Sequence, residues 1–316
     1  MPRIKEPTLR IDISTIFFVI ILISSLSIIT FTYSRNSKYI LKSAKSFYEE
    51  VSGNLIEKIT TLIQQAEDLA AISSSLIYRS SDFSFENIHL IRYMVSVIRY
   101  NPDIYGLYFG SENGSLLEVV NLAAAAQTHF IFTPDKPLPP AASYVLRRID
   151  RSQPHVIDQW DYLDKKLKVL SSESRPIADA AQTTTDPRVR PWYLDGLAAK
   201  GKLAWSDVYH YDPLKELGIT VSKEIMNSEG QMIAVIGVDI SLELFHRFLT
   251  KETIGKKSRA FILNTAGEII VPSKESSRFA EEAFKEYQKE KTADFIFECD
   301  KIRYLGSVHI FPPFWK

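Results

Sequence analysis

The hydrophobic pattern changes character along this chain, and each change marks a different kind of structure. From Ile13 to Tyr33, ISTIFFVIILISSLSIITFTY runs without a charged side chain. At about 1.5 Å per residue that length matches a hydrocarbon core of roughly 30 Å. The pattern predicts a transmembrane helix over 13–33 behind a short cytoplasmic N-terminus, 1–12. A cleaved secretory leader is the competing reading, but its apolar region is normally about 7 to 15 residues long and closes on small residues. FTYSRNSKY offers no Ala-x-Ala site. Arg3, Lys5 and Arg10 precede the span, and Arg35, Lys38, Lys42 and Lys45 follow it, so the distribution of positive charge does not orient it.

Beyond the span, apolar residues recur at Leu41, Ala44, Tyr48, Val51, Leu55, Ile59, Leu62, Ala66 and Leu69. Spacings of three and four predict one long amphipathic stalk helix, placed at 34–80. Its stripe can pack on the following domain or, near the membrane, on a second copy of the chain as a homodimer. SFENIHLIRYMVSVIRYN predicts a second helix capped by Ser84, with Ile88, Ile91, Val95 and Ile98 on one face and a stop at Asn101-Pro102.

The period then shortens to two. IYGLYFG, the turn SENGS and LLEVV read as a hairpin, and residues 121–140 as an irregular insert. VIDQWDYLD and LKVLSSESRPI follow as strands. DPRVRPWY then leads into a short helix, and LAWSDVYHY, GITVSKEIMN and QMIAVIGVDI are further strands, the last two paired through SEG. A helix, SLELFHRFLTKE, is capped by Ser241 or Asp239. A second, shorter series comes next: the hairpin RAFILN/EIIVPS, the helix RFAEEAFKEYQKEK, and strands DFIFECD and IRYLGSVHIF. Hairpin, helix and further strands therefore occur twice, which predicts an α+β fold of two antiparallel-sheet lobes.

Composition narrows the chemistry. The 38 basic side chains balance 38 acidic ones, so no basic surface points to nucleic acid as a partner. Cys299 is the only cysteine, which excludes an intrachain disulfide and a thiolate zinc cluster. His210 and His246 read as solvated or locally bonded, and no metal or cofactor is implied. No G-x-S-x-G, H-E-x-x-H or phosphate-binding loop is present, so nothing in the chain reads as an enzyme.

The candidate site centres on DPRVRPWY, residues 186–193. Proline disfavours a helical backbone at the residue before it and suits the first turn of a helix. A helix is therefore expected from Pro191 to about Lys200, closed by Gly201, with Arg190 at its N-terminus. Unpaired N–H groups and the positive helix end lie there. With a guanidinium, which binds both oxygens of a carboxylate, they would hold an anion. Arg188 is the structural arginine of the two, although Arg190 could instead pair with Asp186 or Asp195. Asp239 ends the apolar strand MIAVIGV, and a buried acid there needs a cationic partner or good hydrogen bonds. Trp192, Tyr193 and Tyr209 offer aromatic faces to a cation.

The N-terminal span, the long helix, DPRVRPWY, WSDVY and VIGVDISLELF together resemble the double Cache sensor domains of bacterial transmembrane receptors, over about 36–316. The resemblance implies two PAS-like lobes outside the cytoplasm. The membrane-distal one (81–250) would bind a small-molecule ligand, and the proximal one (251–316, incomplete) would pass the signal on. It also implies localisation at the cell (inner) membrane with the main domain periplasmic or extracellular. Family members continue into a second membrane helix and an output module, so the chain reads as a fragment ending at FPPFWK. Amino-acid-sensing members carry an Arg-x-Trp-Tyr segment, a later tyrosine and an aspartate, which Arg190, Trp192, Tyr193, Tyr209 and Asp239 match. Two positions depart from that pattern. Thr185 stands where such members have a tyrosine, and Tyr211, beside Asp212, where an acid is often found. An amino acid or a related amine or carboxylate is therefore the expected ligand. The alternative is an extracellular dimerisation or interaction scaffold that binds no small molecule.

Overall fold

A computed structural model describes residues 13–78, 87–124, 138–152, 155–177, 186–211, 217–251, 259–264, 266–271 and 277–310. It divides into two compact units, Met1–Ser52 and Gly53–Lys316.

In the first unit the uncharged run is helical throughout, the start of α1 (Ile13–Tyr78). Its large side chains, among them Phe17, Ile20, Ile23, Ile29 and Phe31, are exposed. It is the one helix among the described residues that is long and apolar enough to cross a membrane. An apolar surface uncovered by protein is what a helix in contact with lipid requires.

The second unit is built on a nine-stranded antiparallel sheet. Its strands are β1 (Gly106–Ser111), β2 (Leu116–Asn121), β3 (Tyr144–Ile149), β4 (Ile157–Leu163), β5 (Val169–Pro176), β6 (Ala204–Trp205), β7 (Tyr209–His210), β8 (Leu217–Met226) and β9 (Met232–Ser241). They run in the order β5-β4-β3-β2-β1-β9-β8-β6, with β7 also on β8. The β1–β2 and β8–β9 hairpins lie where alternation and the turns SENGS and SEG predict them. LAWSDVYHY forms two short strands rather than one. β3 falls on a stretch with no sequence-based expectation, just beyond the irregular insert.

Side chains alternate across a strand, and the sheet's two faces have different covers. On one face, Leu107, Phe109, Leu117, Val119, Ile236, Val238 and Ile240 pack against Ile59, Leu62, Ile63 and Ala66 of α1. Met94, Val95 and Ile98 of α2 (Ile88–Tyr100) complete that core. Burying each such side chain contributes about 1.5–3 kcal/mol. α2 is capped by Asn87, whose side chain accepts from the His89 N–H, and Ile88 is exposed; Ser84 lies outside the described residues. The other face carries Tyr108, Leu116, Ile149 and Val235 beneath Trp192 and Tyr193 of α3 (Pro191–Ala198).

Ser241 begins α4 (Leu242–Lys251), its hydroxyl accepting from the Glu243 N–H at 3.1 Å. This frees Asp239 from a capping role. Farther on, β10 (Ile262–Leu263) and β11 (Ile269–Val271) form one hairpin, and β12 (Asp294–Cys299) and β13 (Ile302–Ser307) another. α5 (Ser277–Glu290) lies between them in the chain. Among the described residues the two hairpins are separate two-stranded sheets. Phe279, Phe295, Phe297 and Cys299 form a core of their own.

Candidate ligand-binding site

Arg190 takes the extended backbone conformation, φ −84° and ψ 145°, that the following proline demands, and α3 starts at Pro191. Backbone N–H groups of Tyr193 and Leu194 donate to the Arg190 carbonyl. The helix ends at Ala198, and Gly201 follows with φ +81°, the left-handed conformation that glycine adopts without strain. The two arginines have separate roles. Arg188 grips Asp186 through Nε at 3.0 Å and Nη2 at 2.7 Å. Burial pushes the Asp186 carboxyl up, but the hydrogen bonds from Arg188 outweigh it and hold it below its ordinary value. Arg190 instead donates from Nη2 to the His210 carbonyl at 2.7 Å and lies over the Tyr209 ring, 5.4 Å from its centroid.

Beneath α3 is a cavity of about 40 Å³ lined by Tyr108, Leu116, Glu118, Arg147, Pro187, Arg190, Trp192, Tyr209, Tyr211 and Asp239. Asp239 is 3% exposed. Its Oδ1 accepts from the Tyr108 hydroxyl and from Thr220 Oγ1, both at 2.5 Å, and Tyr209 Oη lies 2.7 Å from Thr220 Oγ1. Asp239 Oδ2 has no hydrogen-bond partner among the described residues. Burial pushes the Asp239 carboxyl well above its ordinary value, against the pull of the Thr220 and Tyr108 hydroxyls. The Tyr108, Tyr209 and Tyr211 phenols are likewise pushed up, first by burial and then by the Asp239 charge.

One row across the sheet supplies the cavity floor. The register pairs Gly237 with Tyr108, Tyr108 with Glu118, Glu118 with Arg147 and Arg147 with Trp160. A Cβ at Gly237 would sit 2.1 Å from the Tyr108 ring, so the missing side chain is what lets that ring lean across β9 toward Asp239. Arg147 binds Asp158 through Nε at 2.9 Å and Nη2 at 2.8 Å, and stacks on Trp160 at 4.5 Å. Glu118 lies 3.5 Å from Arg147 Nη1. Burial raises the Glu118 carboxyl in spite of that arginine.

The structure thus brings Arg190, Trp192, Tyr209, Tyr211 and Asp239 to one cavity. Tyr193 stands behind Trp192, its ring centroid 5.5 Å away and its hydroxyl 3.3 Å from the Ser111 carbonyl, outside the lining. Tyr211 turns its hydroxyl between the Ile219 and Ile240 carbonyls, at 2.7 and 2.9 Å, and offers the cavity its ring. Thr185 and Asp212 lie outside the described residues. Tyr108, Glu118 and Arg147 lacked any sequence-based expectation. For Glu118 and Arg147 the available signal was a charge inside the apolar stretches LLEVV and YVLRRI.

Residues 153–247 match the family model described as methyl-accepting chemotaxis protein-like, first PDC sensor domain. The matched stretch is under a third of the chain. It runs from just before β4 into α4 and contains Arg190, Trp192, Tyr209, Tyr211 and Asp239, whereas Tyr108, Glu118 and Arg147 reach the cavity from strands before it. Among curated proteins, adenylate cyclase 1 of Rhizobium meliloti (strain 1021) is 25% identical over 277 residues, 86% of this chain and 39% of that protein. Methyl-accepting chemotaxis protein McpB of Bacillus subtilis (strain 168) is 31% identical over 24% of this chain and 11% of its own length. The chain therefore spans less than two-fifths of the length of these relatives. A solved structure of the Campylobacter jejuni chemoreceptor Tlp3 sensory domain, with isoleucine bound, aligns at 17% identity and a TM-score of 0.43, covering 84% of this chain and 89% of that one.

Proposed function

We propose that the chain is the sensing region of a transmembrane receptor and that the cavity beneath α3 binds an amino acid. The observation that carries the proposal is the presence of Arg190 and Asp239 on the lining of one aromatic cavity. Arg190 would take the ligand carboxylate on its guanidinium, which can bind both oxygens. Asp239, through its unpartnered Oδ2, would take the α-ammonium. Trp192, Tyr209 and Tyr108 would wall the cation with aromatic faces. The arrangement suits a zwitterion because its two charged poles are both present and partly desolvated.

The sensor part, residues 81–250, is read as lying outside the cytoplasm at the inner membrane, anchored by α1. Tyr39, Ile40 and Phe47, exposed on α1 beyond the uncharged run, support pairing of two copies along that helix. Stretches similar to parts of this chain occur in a protein named adenylate cyclase and in one named methyl-accepting chemotaxis protein, as expected if ligand sensing and output are separable modules.

The test is isothermal titration of the detergent-solubilised chain with the common amino acids, then of Arg190→Ala and Asp239→Ala. Either change is expected to weaken binding by about 30-fold or more, because it leaves a buried charge of the ligand without its partner. A ligand that binds both variants as it binds the native chain would remove the assignment. Absence of any response across amino acids, amines and carboxylates would favour a scaffold.

A further inference from the structure

A zwitterion held by Arg190 and Asp239 leaves Glu118 with only a share of the Arg147 guanidinium, at 3.5 Å. Arg147 is committed to Asp158 by two short hydrogen bonds and to the Trp160 ring. Glu118 has a single polar contact, the 3.5 Å approach of Arg147 Nη1 to its Oε2. Its side chain is 12% exposed, and Oε1 has no partner among the described residues. The cavity-lining side chains and Asp158 together carry Glu118, Asp158 and Asp239 against Arg147 and Arg190, an excess of one acid when all are ionised. An α-amino acid with an uncharged side chain brings no net charge and leaves that excess. One with a cationic side chain cancels it.

The spacing fits the same occupant. Glu118 lies on β2, two strands from Asp239 on β9 and offset by two residues along the strand direction. Strand geometry therefore separates their Cα atoms by about 10 Å across and 7 Å along the sheet, roughly 12 Å in all. Both side chains reach into the cavity between, which shortens the distance from carboxylate to carboxylate. In a diamino acid, five or six bonds of about 1.5 Å separate the two nitrogens, an extended reach of about 6–7.5 Å.

We infer that Glu118 is the specificity-determining residue of this site and that the ligand is a basic amino acid whose side-chain ammonium or guanidinium binds Glu118 while its α-ammonium binds Asp239. This rests on the amino-acid reading above and names the side chain that reading leaves open. Arg147 is a positioning residue: clamped by Asp158 and Trp160, it holds the Glu118 carboxylate toward the cavity without neutralising it.

The test pairs ligands that differ only in the terminal group, L-ornithine against L-norvaline and L-lysine against L-norleucine, titrated calorimetrically into the full chain in detergent. The native chain is expected to bind the cationic member about 30-fold or more tightly, as a partly buried charge pair implies. Glu118→Gln, which keeps the shape, should bring the two members of each pair within about threefold, and Glu118→Asp should retain the preference. An equal or reversed preference in the native chain overturns the inference, even if Glu118→Gln does not fold, and so does a folded Glu118→Gln that keeps the preference. In both cases neutral amino acids still bind and the amino-acid reading stands. If no amino acid binds the native chain at all, that reading fails and the Glu118 assignment fails with it. Putrescine supplies the remaining arm: binding as tight as that of ornithine would make the ligand a diamine and overturn the assignment of a carboxylate to Arg190.

Discussion

Gly237→Ala probes how the cavity is built, because it adds one methyl group at a point the ligand never touches. The new carbon would sit 2.1 Å from Cε2 and 2.6 Å from Cζ of Tyr108, against ordinary carbon contacts of about 3.5–4.0 Å. The ring must therefore retreat by about 1.4 Å. Its far side is closed by Trp192, edge-on with centroids 4.6 Å apart, and its hydroxyl is tied to Asp239. Overpacking of this kind costs about 1–3 kcal/mol, and the hydroxyl lost from Asp239 adds about 1 kcal/mol. The sum, about 2–4 kcal/mol, lowers Tm by roughly 4–16 °C for a unit of this size. Thermal unfolding followed by circular dichroism, on Gly237→Ala, Tyr108→Ala and the double variant, isolates the clash. With the ring gone the added methyl has nothing to strike, so the double variant should be more stable than the sum of the singles by about 1–3 kcal/mol. Additivity within about 0.5 kcal/mol would refute the placement of the Tyr108 ring over Gly237.

Three further outcomes follow from the same geometry. An ammonium needs Asp239 ionised, yet burial keeps that carboxyl protonated well above its ordinary range; amino-acid affinity should therefore rise as pH climbs above the ordinary carboxylate range and through the raised Asp239 titration, with proton release measured by calorimetry in buffers of differing ionisation enthalpy. Binding that is flat in pH and releases no proton contradicts this. Because the folded state holds the Asp239 proton more tightly than the unfolded chain, the stabilisation linked to it is complete below the unfolded value and lost as pH rises through the folded one. Asp239→Asn, which cannot ionise, should flatten that decline and leave the ligand-free Tm at neutral pH equal to the native value or higher; a lower Tm counts against a strained acid. Arg188→Gln removes the Asp186 pair on a half-exposed side chain and should cost about 0.5–1.5 kcal/mol of stability while leaving amino-acid affinity within about threefold, whereas Arg190→Gln should do the reverse. Comparing Tm and Kd for the two variants separates their roles, and a large loss of affinity in Arg188→Gln would overturn the division.

Much of the local structure is legible in the sequence because it depends on neighbours in the chain. Alternation marks both main hairpins, three-and-four spacing marks α1 and α2, and the proline after Arg190 sets the start of α3. β3 is missed because YVLRRI, with two adjacent arginines, breaks the alternation that marks a half-buried strand. Arg147 is buried only because Trp160 stands opposite it on β4 and Asp158, diagonally across, takes its charge. Tyr193, expected to offer its ring to a cation, lies outside the cavity lining for a related reason: consecutive aromatic residues on a helix point in different directions, and only packing decides that Trp192 faces the cavity while Tyr193 turns to Ser111.

The sequence by itself determined the membrane-spanning run, the α+β alternation of elements, the helix entry at Pro191 and the candidacy of Arg190, Trp192, Tyr209 and Asp239. Each of these follows from periodicity, proline sterics or a resemblance carried by a short motif. Only the tertiary structure decided that Arg188 belongs to Asp186, that Ser241 leaves Asp239 free of the helix cap, and that Tyr108, Glu118 and Arg147 complete the cavity. Those facts depend on strand order and register, which place side chains from β1, β2, β3 and β9 side by side although 131 positions separate Leu107 from its partner Val238 on β9. Register is fixed by the burial of a whole sheet face, a property that no stretch of residues holds alone.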